Sequence, residues 1–150
     1  MKTNDKMSEE NKGVVIPQET IEDSRAKKKA KRTLRQLPIY RDASNLKYMV
    51  VRLYDEVPRK MTKYIDAMTN TVGEAKKCIG LAEASHDPEE RQHYLSIARV
   101  FVEDIQDDAT ILVRLKVIGK ETEKQIKAQA RSVVSQCIAW RDYTNGQGAK

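Results

Sequence analysis

Two Glu-x-x-His pairs, Glu83-Ala84-Ser85-His86 and Glu90-Arg91-Gln92-His93, carry the residue types that could do metal chemistry. On facing helices of a bundle, such pairs hold di-iron sites when inward carboxylates from two further helices complete the ligand set at mid-bundle depth. Here both pairs crowd one expected hairpin, and the other helices offer only Asp42 and Asp142 at that end. The expectation is therefore no metal and no cofactor, with these side chains capping and hydrating a turn. The chain has no nucleophile elbow, glycine-rich phosphate loop or Ser/His/Asp grouping, and its two histidines flank a turn, a poor place for a sheltered base. Catalysis is not expected. Cys78 and Cys137 lie inside helical patterns at no metal-ligand spacing and read as small packing residues.

The remaining chemistry is electrostatic. The run from Arg25 to Arg35 holds Arg25, Lys27, Lys28, Lys29, Lys31, Arg32 and Arg35, seven cations in eleven residues with no apolar stripe. Ten of the 28 Lys and Arg but six of the 22 Asp and Glu fall in residues 1–37, so that segment holds +4 of the formal charge of +6. Two readings fit: a solvated tail, or an arm ordered by an anionic surface that contacts phosphates without reading bases. Further cations are Arg59, Lys60, Lys63, Lys76 and Lys77 on a second helix and Lys120, Lys124, Lys127, Arg131 and Arg141 on a fourth. Glu103, Asp104, Asp107 and Asp108 crowd like charges on a third, which costs a few tenths of a kcal/mol per i,i+4 pair unless cations answer them. The belt is either solvated or paired within the chain, or it meets the cations of a neighbouring copy. Those same cations are equally suited to phosphates.

The elements that position these groups are helices. Met61, Ile65, Met68, Val72, Ala75, Ile79 and Ala82 alternate four- and three-residue steps, a heptad seam that excludes a strand period. A stripe about a third of a helix surface needs partner helices to cover it. Pro58 fits the first position of this helix, which runs to about Ser85. Before it, a helix from about Arg41 to Val57 presents Ala43, Leu46, Met49 or Val50, Leu53 and Val57. His86-Asp87-Pro88-Glu89-Glu90 is the clearest helix start in the chain, with Asp87 as cap, Pro88 in the first turn and two acidic residues at the positive helix end.

The third helix carries Tyr94, Ile97, Ala98, Phe101, Ile105, Ala109, Leu112 and Leu115 inward and is expected to stop at Ile118-Gly119, with glycine in the left-handed conformation. Thr122-Glu123-Lys124-Gln125 matches a capping box for a fourth helix with Ile126, Ala130, Val133, Cys137 and Trp140 on its seam. The expected fold is all-α: an antiparallel up-down-up-down four-helix bundle over residues 38–145. A disordered or loosely helical basic arm, residues 1–37, precedes it, and a frayed tail, residues 146–150, follows. Residues 1–24 are too polar to order themselves. No apolar run approaches the ~18 residues of a membrane span and no secretory h-region opens the chain, so the expected location is the cytoplasm, away from membranes.

Three features in this order, Val57-Pro58-Arg59-Lys60 opening a long second helix, a hairpin before a long third helix, and Trp140 followed by Arg141 and a glycine-containing end, resemble the accessory variability determinant proteins of diversity-generating retroelements. The four-helix bundle proteins encoded in ribosomal RNA intervening sequences are their relatives. The similarity covers roughly residues 38–148. It implies a homopentamer that binds the element's reverse transcriptase and RNA or DNA, independent of sequence, during mutagenic retrohoming. It also implies Arg59, Lys60 and Arg141 as contact residues. The alternative is an intervening-sequence-type bundle that acts in assembly without a polymerase partner.

Overall fold

The computed structural model describes residues 37–148, with side chains through residue 144. The basic run from Arg25 to Arg35 and the end of the expected C-terminal tail lie outside the described residues. Four α-helices, α1 (Pro38–Arg52), α2 (Thr62–Ala84), α3 (Pro88–Arg114) and α4 (Lys120–Gly148), make up nearly all of the rest, with no strand among the described residues. None of these helices is long and apolar enough to cross a membrane.

The α2 seam behaves as its spacing requires: Ile65, Met68, Val72, Ala75, Ile79 and Ala82 are buried, and Met61 is half-buried at the edge. All but Ala82 pack with Ala43, Leu46, Val50 and Leu53 from the first helical segment, with Ala98, Val102, Ile105, Ala109 and Leu112 from α3, and with Ile126, Ala130, Val133 and Cys137 from α4. Each fully buried Leu, Ile, Val or Met contributes roughly 1.5–3 kcal/mol relative to exposure, so an aliphatic interior suffices without aromatic residues. Each helix lies backbone to backbone against two others, α1 and α3 both against α2 and α4, so α1/α3 and α2/α4 are the diagonal pairs, which meet only through core side chains among the described residues.

Several local expectations are corrected. Helix α1 begins at Pro38, three residues before Arg41, because proline at the first position forfeits no hydrogen bond; the Arg41 amide donates to the Leu37 carbonyl (3.0 Å). It ends at Arg52, not Val57. Its last turn tightens into a 3₁₀ turn, Leu53–Asp55, where the amides of Glu56 and Val57 both donate to the Leu53 carbonyl, since Pro58 disfavours a helical Val57. Pro58 itself is extended (φ −66°, ψ 155°) and precedes a second 3₁₀ turn, Arg59–Met61, ahead of α2.

On α3 the buried line runs through Leu95 and Val102, and Tyr94, Ile97 and Phe101 flank it half-buried. Leu115 is 54% exposed, against the expectation, because α3 has already ended. The left-handed residue that ends it is Lys116 (φ 61°), not Gly119. The Lys116 amide donates to the Val113 carbonyl (2.9 Å) and the Val117 amide to the Leu112 carbonyl (3.1 Å), a Schellman arrangement. This early reversal lets Ile118 bury, and the Gly119 carbonyl accepts from the Glu123 amide, in the first turn of α4. Thr122 is therefore inside α4 and caps nothing; its hydroxyl donates to Glu56 (2.8 Å) instead. Helix α4 continues through Gly148, past the residue 145 boundary expected for the bundle.

The α2–α3 connection follows its sequence. Asp87 accepts from the Glu89 amide (3.2 Å), Pro88 opens α3, and Glu89 and Glu90 occupy its first turn.

Candidate nucleic-acid interface

Arg59 and Lys60 stand exposed on the 3₁₀ turn before α2, and Lys63 is exposed on the first turn of α2 itself. The turn is held from within: the Thr62 hydroxyl donates to the Arg59 carbonyl (2.7 Å), which leaves the guanidinium and ammonium groups on the surface. Further along α2, the Lys76 ammonium lies 5.0 Å from the centroid of the Tyr40 ring, and Lys77 stands 3.9 Å from Glu74. Tyr40, Lys47, Gly73, Lys76, Lys77 and Gly80 line an open groove of about 330 Å³ between α1 and α2.

On α4, Lys124 and Arg131 are exposed, seven residues apart on one face. Lys127 is engaged by Glu123 (3.0 Å), and Arg141 lies 3.6 Å from Asp142. Because α2 and α4 are not neighbours, their cations do not form one belt. Arg59 and Lys60 are also far from Arg141. The Glu56–Thr122 bond ties the α1–α2 connection to the start of α4, and Arg141 follows Thr122 by nineteen residues, about 28 Å of helix. The three residues implied by the resemblance are thus split between opposite ends of α4's span.

Trp140 is half-buried at that far end, with the Arg91 guanidinium 5.7 Å from its ring centroid. Arg91 also donates through Nε to the Ala82 carbonyl (3.0 Å) and through Nη2 to the Ser85 carbonyl (2.7 Å). It therefore satisfies the open carbonyls at the end of α2 from α3 while resting on α4. This role was not legible in sequence, where Arg91 sits inside a Glu-x-x-His pair. The two pairs do not come together: Glu90, His86 and His93 are exposed, and among the described residues no three His, Cys, Asp or Glu side chains converge as a metal requires. Asp42 instead accepts from Gln136 (2.6 Å) and Ser132 (3.5 Å) of α4, and its carbonyl accepts from Gln129 (2.8 Å).

The acidic belt on α3 is partly answered within the chain. Arg99 pairs with Glu103 (3.2 Å), and the Tyr64 hydroxyl donates to Asp108 (2.8 Å) across α2–α3. Burial pushes the Asp108 carboxyl above its ordinary range; the Tyr64 bond pulls it down, and Asp104 and Asp107 add to the rise. Burial, then Asp108 as acceptor, pushes the Tyr64 hydroxyl up to about 12. Asp104 and Asp107 remain exposed, on the same outward face as Val100 (55% exposed), Ile111 (42%) and Leu115 (54%). Both cysteines are buried and free; burial drives the Cys137 thiol up to about 12 and raises Cys78 as well.

Sequence reading selected Lys76 and Lys77 but missed Lys47, Tyr40, Gly73 and Gly80, which share their groove. A signal existed. Tyr40 and Lys47 each follow a buried residue, Ile39 and Leu46, while Gly73, Lys76 and Gly80 follow Val72, Ala75 and Ile79, so each set flanks its seam on one side. No protein-family model and no curated protein matches this chain.

Proposed function

We propose that this chain is a non-enzymatic binding protein that partners the reverse transcriptase of a diversity-generating retroelement and holds template RNA or DNA during mutagenic retrohoming. The observation that carries the reading is the exposure of Arg59, Lys60 and Lys63 on the turn and first helical residues after Val57-Pro58, the place the resemblance points to. Lys124 and Arg131 extend the cationic surface to another side of the helical scaffold, as a partner that wraps the protein would need. Contacts of this kind bind phosphates irrespective of base.

The scaffold reads as an antiparallel up-down-up-down bundle in the cytoplasm. Supporting the topology, Tyr64 near the start of α2 bonds Asp108 near the end of α3, and Glu56 just after α1 bonds Thr122 at the start of α4. Copies of it close into a ring, most simply a pentamer by the resemblance, because the outward face of α3 offers exposed Asp104 and Asp107 to the cations of a neighbour. The apolar residues beside them, Val100, Ile111 and Leu115, also favour a second reading, an intervening-sequence-type assembly protein with no polymerase partner.

Co-expression with a candidate reverse transcriptase separates the two readings. Co-elution of the pair through a sizing column, together with salt-sensitive RNA or DNA binding, is the expected result. Separate elution at low salt leaves assembly as the function. Light scattering tests the ring: a monomer in the unchanged protein refutes it, and Asp104→Lys with Asp107→Lys, both exposed, should dissociate it if the α3 charges hold it together.

A further inference from the structure

The groove between α1 and α2 has features that packing does not require. Lys47 and Lys76 reach it half-buried, a setting that costs a cation part of its hydration, and Lys77 stands at its rim. Gly73 and Gly80 occupy the interior of α2, where glycine is less favourable than alanine. At Gly73 a β-carbon would meet, among the described residues, only the Lys47 ammonium at 3.7 Å, an ordinary contact, so their packing does not demand glycine. The missing side chain leaves open space beside the Lys47 ammonium.

Chemistry narrows what fits there. Among the described residues the lining includes no carboxylate, and the Glu74 carboxylate lies 3.9 Å from Lys77, the rim cation. Lysines offer donors and positive charge, so the complementary ligand is an anion rich in acceptor oxygens. The Tyr40 ring keeps the Lys76 ammonium in the groove by a cation–π contact. Gly73 to Gly80 and Tyr40 to Lys47 each span seven residues, about 10 Å of helix, room for about two successive phosphates of a single strand, one for each recessed lysine. Because two of the three ammonium groups are recessed between helices, a narrow strand reaches them and a duplex touches only the rim.

We infer that the α1–α2 groove is a subsite for the sugar–phosphate backbone of single-stranded nucleic acid, with Lys47 and Lys76 on phosphates and Tyr40 as a positioning residue for Lys76. The inference rests on the nucleic-acid reading of function and adds where the strand lies and that it is unpaired. Contacts from lysine ammonium groups to phosphates carry no base information, so recognition is independent of sequence.

The test uses the full chain, fluorescence anisotropy at several salt concentrations, and labelled homopolymeric single strands of RNA and DNA beside a duplex of equal length. Gly73→Leu fills the groove without changing charge and should weaken single-strand binding by about tenfold or more, as phosphate contacts are lost, with helicity unchanged. Lys47→Gln with Lys76→Gln should reduce the slope of log affinity against log salt by about 1.4 for single strands and leave duplex binding as it was. Tyr40→Phe should bind like the unchanged protein and Tyr40→Leu more weakly. If Gly73→Leu is unstable, the double glutamine variant decides. Single-strand affinity and slope equal to the unchanged protein in that variant overturn the groove while the proposed function stands. Failure of the unchanged protein to bind any strand at low salt overturns both.

Discussion

Replacing Arg91 with alanine should unpin the end of the molecule where α2, α3 and α4 meet. The side chain makes two charge-assisted hydrogen bonds, to the Ala82 carbonyl (3.0 Å) and the Ser85 carbonyl (2.7 Å), and lies 5.7 Å from the Trp140 ring centroid. Hydrogen bonds to a charged group contribute about 1.5 kcal/mol each at the low end, suited to a half-buried guanidinium, and the ring contact about 0.5 kcal/mol. Water recovers part of this when the carbonyls are exposed, which leaves a loss of about 2 kcal/mol. For a folded unit of this size that corresponds to a fall in melting temperature of about 8 °C by circular dichroism. Arg91→Lys should recover little, because a single ammonium cannot reach two carbonyls and stack on the ring at once. A double-mutant cycle with Trp140→Leu isolates the ring contact and should return a coupling of about 0.5 kcal/mol. A melting temperature for Arg91→Ala within about 2 °C of the unchanged protein, or full stability in Arg91→Lys, refutes the pinning role.

Lys116→Gly should stabilise the fold by about 0.5–1 kcal/mol, seen as a raised urea midpoint at constant m, since glycine takes the left-handed φ of 61° without strain; a lowered midpoint contradicts the Schellman assignment. Burial holds the Asp108 proton more tightly in the folded state than in the unfolded one. Its contribution is therefore full below the ordinary carboxylate range and lost as pH rises through the raised folded value. Asp108→Asn, which cannot ionise and still accepts from Tyr64, should be a few tenths of a kcal/mol more stable than the unchanged protein at pH 7 and no better near pH 3. Thermal melts across that range check the sign. With its thiol pushed up to about 12 by burial, Cys137 should resist maleimide in the folded protein at pH 8 and react only in denaturant, and rapid labelling of the native state would show a breathing core.

The sequence alone determined what each helix buries when one seam dominates. Six of the seven α2 seam positions are buried, and Asp87-Pro88 starts α3 through the hydrogen bond its residue types imply, because heptad spacing and capping are decided within a few residues of chain. Tertiary structure decided the rest. Helix α3 carries apolar residues on more than one line, and contact with both α2 and α4 selects Leu95 and Val102 over Tyr94 and Phe101. Thr122 had a local partner in the capping-box pattern, but Glu56 lies close only once α1 and α4 pack. The reversal after α3 falls on Lys116 rather than Gly119 because burying Ile118 outweighs the roughly 1 kcal/mol of left-handed strain. Periodicity reports a helix's own faces and is silent on its neighbours. The cations of α2 and α4 thus look like one belt in sequence and separate in space, and the groove of Lys47, Lys76 and Gly73 exists only because α1 lies against α2.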